Sequence, residues 1–473
     1  MKNMLILMMS CIMLVYLSAC NGNANNNTGG KLTQSGAQLP QKNANDDPSA
    51  SANKEADATP QGLKPLDDTP KTIVVSILGI TPFYKLAKEK YEALHPNTTI
   101  QFKEFTSGSM MSASEVERYI KSTTTEVLSG KGADLFAFTT VELPIDKYVS
   151  KGAFENIDVW MQSDTGFDQK QYQMNIITGS KMNDGLYIMP VEYCLEALYG
   201  DADGLKDAGI TIDDKDWTWS RFAEISMQLA SKNGNSYTMN YLPPEAMINN
   251  LVSDNYNQLI IGERGKLTFD STVFTKLLSE VKQVYDKKEL SGEASKKSLL
   301  TYSLMNSPSD YLVRLASYYK NGKVYQKPHA ADQQSGVSFL ATNQIAMNAN
   351  SEIKRDAWEF MKFLLSEEVQ SYPHQAGFSM NKSVNENAIQ DVWKNGIDKD
   401  VGAKGGGSVV EVTEEKLDVL RDMLSEASLR NIGYETTIQK MVSEEVKAFF
   451  TGQKSADAVA QLVQNRVTTY LNE

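Results

Sequence analysis

Cysteine, histidine and the carboxylates are the residues with which a chain of this kind could do chemistry, and each type is placed tellingly. Of the three cysteines, Cys20 follows Leu17-Ser18-Ala19 at the end of an apolar run over residues 4–17, itself preceded by Lys2. A short apolar core behind a positive start is the pattern of a secretory signal, too short for a comfortable membrane span. Its Leu-Ser-Ala-Cys ending resembles a lipobox, in which the Cys sulfur takes a diacylglycerol and the Cys becomes the first mature residue. Cys11 leaves with the signal, so Cys194 is alone and no internal disulfide is expected. His95, His329 and His374 are far apart in the sequence, and no metal or cofactor is expected. A glycosidase would need two carboxylates at a defined separation. With 59 Asp and Glu to choose from, no pair stands out by sequence. No G-x-S-x-G, H-E-x-x-H or P-loop pattern occurs.

The net charge of −12 argues against nucleic acid or an anionic lipid surface as the main partner. Residues 21–70 contain no aromatic, Ile, Val or Met and four Leu. Such a stretch buries too little to offset its conformational entropy. It reads as a disordered tether with a reach of roughly 40 Å. The remaining chain, 71–473, is long enough for two domains.

The elements follow from spacing. "KTIVVSIL" (71–78) reads as a strand closed by Gly79. Thr81-Pro82 is a helix start with Thr as N-cap and Pro at the first position. Phe83, Leu86, Ala87, Tyr91 and Leu94 recur at helical spacing until His95-Pro96-Asn97. "TTIQFKEF" (98–105) alternates as a strand, a second helix runs through Val116 to Leu128 before Gly130, and "ADLFAF" (133–138) is another strand. This order implies an α/β fold with a parallel sheet. "NDG" (183–185) turns the chain into "LYIMPVE" (186–192), helices are expected after Trp217-Thr218-Trp219, over 272–287 and over 355–366, and the tail reads as a helix pair broken at "TGQKS" (451–455) with Ser455 as cap.

Several of these stretches together resemble the family 1 extracellular solute-binding proteins, the lipid-anchored receptors of bacterial ABC importers, many of which handle carbohydrates. The resemblance spans nearly all of 71–473. It rests on "TIVVSIL", "FYKLAKEKYEALHPN", "EVLSGKGADLFAF" and "VSKGAFENID". "GLYIMPVEYCLEALYGDADGLKDAGI" with "DWTWSRFAEISMQLA" is the most specific stretch, and "QIAMNANSEIKRDAWEFMKFLLSEEVQ", "AGFSMNKSV" and "FFTGQKSADAVAQLVQNR" complete the series. The chain departs from the family pattern at Tyr199-Gly200-Asp201 and at Ala346-Met347-Asn348.

The resemblance implies a two-lobed periplasmic-binding-protein-like α/β fold with a ligand cleft between the lobes. Residues 1–19 would be the signal peptide and 20–70 the lipidated Cys and linker. Lobe one would be 71–189 with 337–379, and lobe two 190–336 with 380–473, the chain crossing near Met189-Pro190 and Gly336. It implies a monomeric, non-enzymatic protein held by Cys20 on the extracytoplasmic face of the membrane. The protein would pass a small solute, a sugar or oligosaccharide, to ABC permease subunits. Ligands of open α/β sheets sit at the C-terminal strand ends. That places Thr81, Phe138 and Thr139 at the cleft, with Glu192 and Tyr193 just past the crossing. Tyr193 stands where family members often have a ligand-touching acid or aromatic, and it has a rival reading as hinge packing. Tyr241, Tyr302, Trp393 and Tyr434 are loop-associated aromatics able to stack on a sugar face. A lipid-anchored glycosidase and a sensing or adhesion protein on the same fold are the other readings.

Overall fold

The structure is a computed structural model. It describes residues 63–108, 111–138, 143–182, 185–232, 236–239, 243–263, 266–286, 297–330, 333, 335–372, 377–397, 410–431 and 436–473. Cys20, Thr139, Tyr241 and Tyr434 lie outside the described residues.

The first strands form where alternation and β-branching predict them. These are β1 (Lys71–Ile77), β2 (Thr98–Glu104) and β3 (Leu135–Phe138). β1 pairs in parallel with β2 and with β3. Helix α1 (Pro82–Leu94) starts as expected, Thr81 accepting from the Tyr84 N–H. Helix α2 (Ala113–Ser129) opens with a capping box, Ser112 and Glu115 each accepting the other's N–H. It stops at Gly130, whose φ of 63° is the left-handed conformation glycine adopts without strain. At the other end of the chain, Ser455 caps the helix Ala456–Asn472, which follows Thr436–Phe450.

The strand begun at Met189 is longer than its sequence pattern suggests. β4 (Met189–Asp201) has thirteen residues, all buried. After it come β5 (Ser236–Met239), β6 (Ile260–Glu263), β7 (Lys266–Phe269), β8 (Lys297–Met305), β9 (Gly322–Tyr325), β10 (Val337–Met347), β11 (Phe378–Ser379) and β12 (Ala427–Asn431). The main path is β2-β1-β3-β10-β4-β8-β5. β4 and β10 run antiparallel through its middle, with register shifts around Asn343. β10 also pairs with β3, and β4 with β8. These two strands therefore link the β1 end of one continuous sheet to its β8 end, as the expected two-lobed fold requires. Two large cores flank them. One gathers Ile73, Tyr91, Tyr193, Phe339 and Trp358, the other Trp217, Phe222, Phe274 and Val463.

The body begins earlier than residue 71. Leu63 packs on the first core, its N–H donates to the Ser163 carbonyl, and Arg355 donates to the Lys64 carbonyl at 2.7 Å. The expectation of an unstructured tether up to residue 70 is thus corrected for 63–70, where one apolar side chain and a few backbone bonds suffice to lay the segment down.

Candidate ligand site

Side chains alternate across a strand, so Glu192 and Tyr193 face opposite ways. The odd residues of β4 (Val191, Tyr193, Leu195, Ala197 and Tyr199) lie in the first core. Tyr193 is 0% exposed, edge-on to Phe339 and 5.8 Å from the Phe378 ring. It has no surface to offer a ligand, and hinge packing is the reading its position supports. The even residues Glu192 and Glu196 share the other face, opposite Asn343 and Ser338 of β10.

Glu196 is the centre of a polar cluster assembled from five elements. Its carboxylate accepts from Lys327 Nζ at 2.9 Å and from Asn431 Nδ2 at 3.0 and 3.1 Å. The Tyr302 hydroxyl donates to the same carboxylate. Lys327 Nζ also reaches Asp254 Oδ1 at 2.7 Å and sits 5.5 Å from the Tyr302 ring centre. β4 supplies Glu196, β8 Tyr302, β12 Asn431, the C-terminal turn of the helix Pro244–Asp254 supplies Asp254, and the segment after β9 supplies Lys327. The charged side chains are only 2% (Glu196), 6% (Lys327) and 7% (Asp254) exposed, whereas Tyr302 keeps 38% of its surface. Tyr302 thus keeps part of its surface in solvent while its hydroxyl is held by Glu196.

Two carboxylates share one ammonium, and their proton affinities separate accordingly. Burial pushes the Asp254 carboxyl up to about 6; Lys327 pulls against this and the Glu196 charge adds to it. Burial also works against Glu196, but the Lys327 charge, the Tyr302 hydroxyl and the Asn431 amide outweigh it and hold that carboxyl below the usual range. Lys327 is raised despite its burial, by Asp254 and Glu196.

The other wall of the same face comes from the β1 side. Thr81 fixes the start of α1, and Tyr84 in its first turn donates to Asn343 Oδ1 at 2.9 Å. Burial raises the Tyr84 hydroxyl, and the Glu192 charge adds to that. Arg430 of β12 donates to Gln344 Oε1 at 3.4 Å and feels the charge of Asp146, whose carboxyl is bonded by Tyr256. Asp146 lies in helix α3 (Ile145–Ser150). Lys151 of that helix's C-cap donates to the Asn472 carbonyl at 3.4 Å, and Lys147 stands 5.6 Å over the Tyr470 ring.

The structure therefore brings Thr81 and Glu192 to one neighbourhood and Tyr302 beside Glu196. Phe138 is buried, parallel to Phe136 at 6.4 Å and packed on Phe154, so it belongs to a core. Trp393 stands 46% exposed near the end of the helix Lys382–Asn395. Glu196, Lys327, Asp254, Asn431, Asn343 and Arg430 were not singled out by sequence. Glu196 was within reach, because it lies four residues after Glu192 and so on the same strand face. A cavity of about 430 Å³ lies elsewhere, among Ser307, Gln370, Ser379, Asn385 and Asp391, whose elements cover the odd face of β4. Its amides are already engaged: Gln370 makes four hydrogen bonds and Asn385 holds both backbone groups of Ser379. Among the described residues no helix is long and apolar enough to cross a membrane.

Comparison with known proteins places this geometry in a family. Residues 79–371 match the family model for the bacterial extracellular solute-binding protein. Among solved structures, the chain is similar to a periplasmic oligogalacturonide-binding protein from Yersinia enterocolitica, at 16% identity over 85% of this chain and 99% of that one, with a TM-score of 0.56. It is also similar to a family 1 extracellular solute-binding protein from Alicyclobacillus acidocaldarius, at 15% identity over 86% and 100% with a TM-score of 0.54. A sugar transporter from Rhizobium etli in an open conformation is similar at 17% identity over 83% and 98%, again with a TM-score of 0.54. Identities this low speak for the fold alone. No curated protein matches the sequence. With the family model spanning well over half of the chain, the protein belongs to the bacterial extracellular solute-binding proteins.

Proposed function

We propose that the protein captures a sugar or oligosaccharide between its two lobes and hands it to the permease subunits of an ABC importer. In this reading Cys20 carries the lipid that holds it on the outer face of the membrane. The observation that carries the reading is the half-exposed Tyr302 ring beside the buried Glu196–Lys327–Asp254–Asn431 cluster. Sugars offer flat C–H faces rimmed by hydroxyls, and a ring with anchored carboxylates and amides at its edge matches both. Family membership and structural neighbours whose names specify sugars support the same class. The lobes are divided as 71–189 with 337–379 and 190–336 with 380–473, the segment 63–70 joining the first. Ligand contacts are assigned to Tyr302, Glu196, Asp254, Asn431, Glu192 and Asn343, with Thr81 on the opposite wall and the buried Tyr84 holding Asn343 from behind.

A calorimetric screen of the purified protein against mono- and oligosaccharides, peptides and organic anions tests the class. Sugars should bind and be recovered intact, and Tyr302→Ala should weaken the best one by about 1–3 kcal/mol. Recovery of a cleaved sugar would turn the reading towards a glycosidase. Binding of peptides alone, or affinity untouched by Tyr302→Ala, would remove this site.

A further inference from the structure

Each cation near the ligand face already faces a carboxylate. Lys327 lies between Glu196 and Asp254, and the Asp146 charge acts on Arg430. Glu196 and Asp254 are thus two carboxylates against the single ammonium of Lys327. The second observation is an oxygen without a donor. Asp254 Oδ1 accepts from Lys327 and Asn431, while Asp254 Oδ2, on a side chain 7% exposed, has no hydrogen-bond partner. A buried carboxylate oxygen left in that state costs free energy, and a charged donor relieves it best. Lys327, which holds Asp254, lies 5.5 Å from the ring centre of Tyr302, and a ring of this kind takes a C–H face or a cation.

We propose, on the basis of the carbohydrate reading above, that the solute carries a protonated amine. Its class is an amino sugar or an oligosaccharide containing one, with the ammonium against the Glu196–Asp254 carboxylates and the ring against Tyr302. Hydroxyls alone could fill the donor's place, but they would leave the excess negative charge unmatched. A uronic acid would add to that excess and find both cations occupied.

The test is isothermal calorimetry on the full-length protein at pH 7.5 and low salt. The probes are glucosamine, galactosamine and chitosan oligosaccharides, each beside its N-acetylated counterpart and the corresponding neutral hexose or oligosaccharide, with oligogalacturonides as the anionic arm. At least one amine-bearing probe should bind at least tenfold more tightly than its N-acetylated and neutral counterparts. Asp254→Asn, with its melting temperature recorded to show that it folds, should erase that preference. The wild-type comparison stands even where that variant does not fold. The proposal is overturned if neutral, N-acetylated or anionic sugars bind as well as the amines, or if no amine-bearing probe binds. Neutral sugars binding without the amines would sink this inference and leave the carbohydrate reading intact. No sugar of any kind binding would sink both.

Discussion

Asp254 and Glu196 compete for one ammonium, and that competition gives stability a particular dependence on pH. The folded Asp254 carboxyl sits near 6, above its ordinary 3.8, so the folded state holds this proton more tightly than the unfolded state does. Its contribution to stability is complete below about pH 4 and is lost as pH rises through about 6. Asp254→Asn cannot undergo that loss. Relative to the parent, the variant should gain roughly 1–3 kcal/mol of stability between pH 4 and pH 7.5, read from urea unfolding at both pH values. A constant difference would mean that Asp254 titrates like an exposed acid. Glu196 is held low, so its contribution runs the other way, present above the ordinary glutamate range and lost as pH falls. Tyr193 makes a second case at this scale. Buried between Phe339 and Phe378, its truncation to Ala should cost about 3–5 kcal/mol of stability. Chemical denaturation checks this, and a variant as stable as the parent would put Tyr193 back at a surface.

At the scale of elements, β4 is the part the sequence disguises. Gly200 lies in β4 opposite Leu300 of β8 and Lys323 of β9, and the packing says why glycine stands there. A Cβ would come within 2.6 Å of Tyr325 and 2.9 Å of Leu300. Gly200→Ala should therefore cost about 1–3 kcal/mol by overpacking, with the loss visible as a lower thermal midpoint; an unchanged midpoint would show that Tyr325 and Leu300 give way freely. The local devices were legible: Thr81-Pro82, Gly130 and Ser455 all act within one turn of the chain, so their chemistry is written where it operates. The site was legible only in part. β4 is buried on both faces, so its apolar content is nearly continuous and does not announce which parity meets the ligand. Glu192 and Tyr193 are neighbours in the strand, so the alternation lets only one of them meet the cleft. Lys327, Asp254 and Asn431 meet Glu196 across 131, 58 and 235 positions of chain (Asp254 being 254 − 196 away), and only the sheet order brings them there.

For the whole molecule, the first consequence is where it can be cut. Starting the chain at residue 71 discards the Leu63 contact and the Lys64 carbonyl that Arg355 uses, and also the Asp67–Lys71 ion pair. Such a truncation should lower stability by about 1–2 kcal/mol against one starting at residue 63, as measured by differential scanning calorimetry. Equal midpoints would show that 63–70 contributes nothing. Closure is the second consequence. Contacts from α3 to Tyr256, Tyr470 and Asn472 join the two sides of the cleft, so a bound solute should favour that arrangement, and small-angle scattering should report a smaller radius of gyration on its addition. Finally, β4 lets change in this molecule proceed by one route and not another. In the proposed site the residues of β4 that meet cargo are every second one, and those between hold the core. Point substitutions at 192 and 196 can retune what is carried while the scaffold stays untouched. Insertion or deletion of a single residue would instead exchange the two sets, seating carboxylates in the core and Tyr193 in the cleft, so diversification of such a receptor must go by replacement, never by shifts of length within this strand.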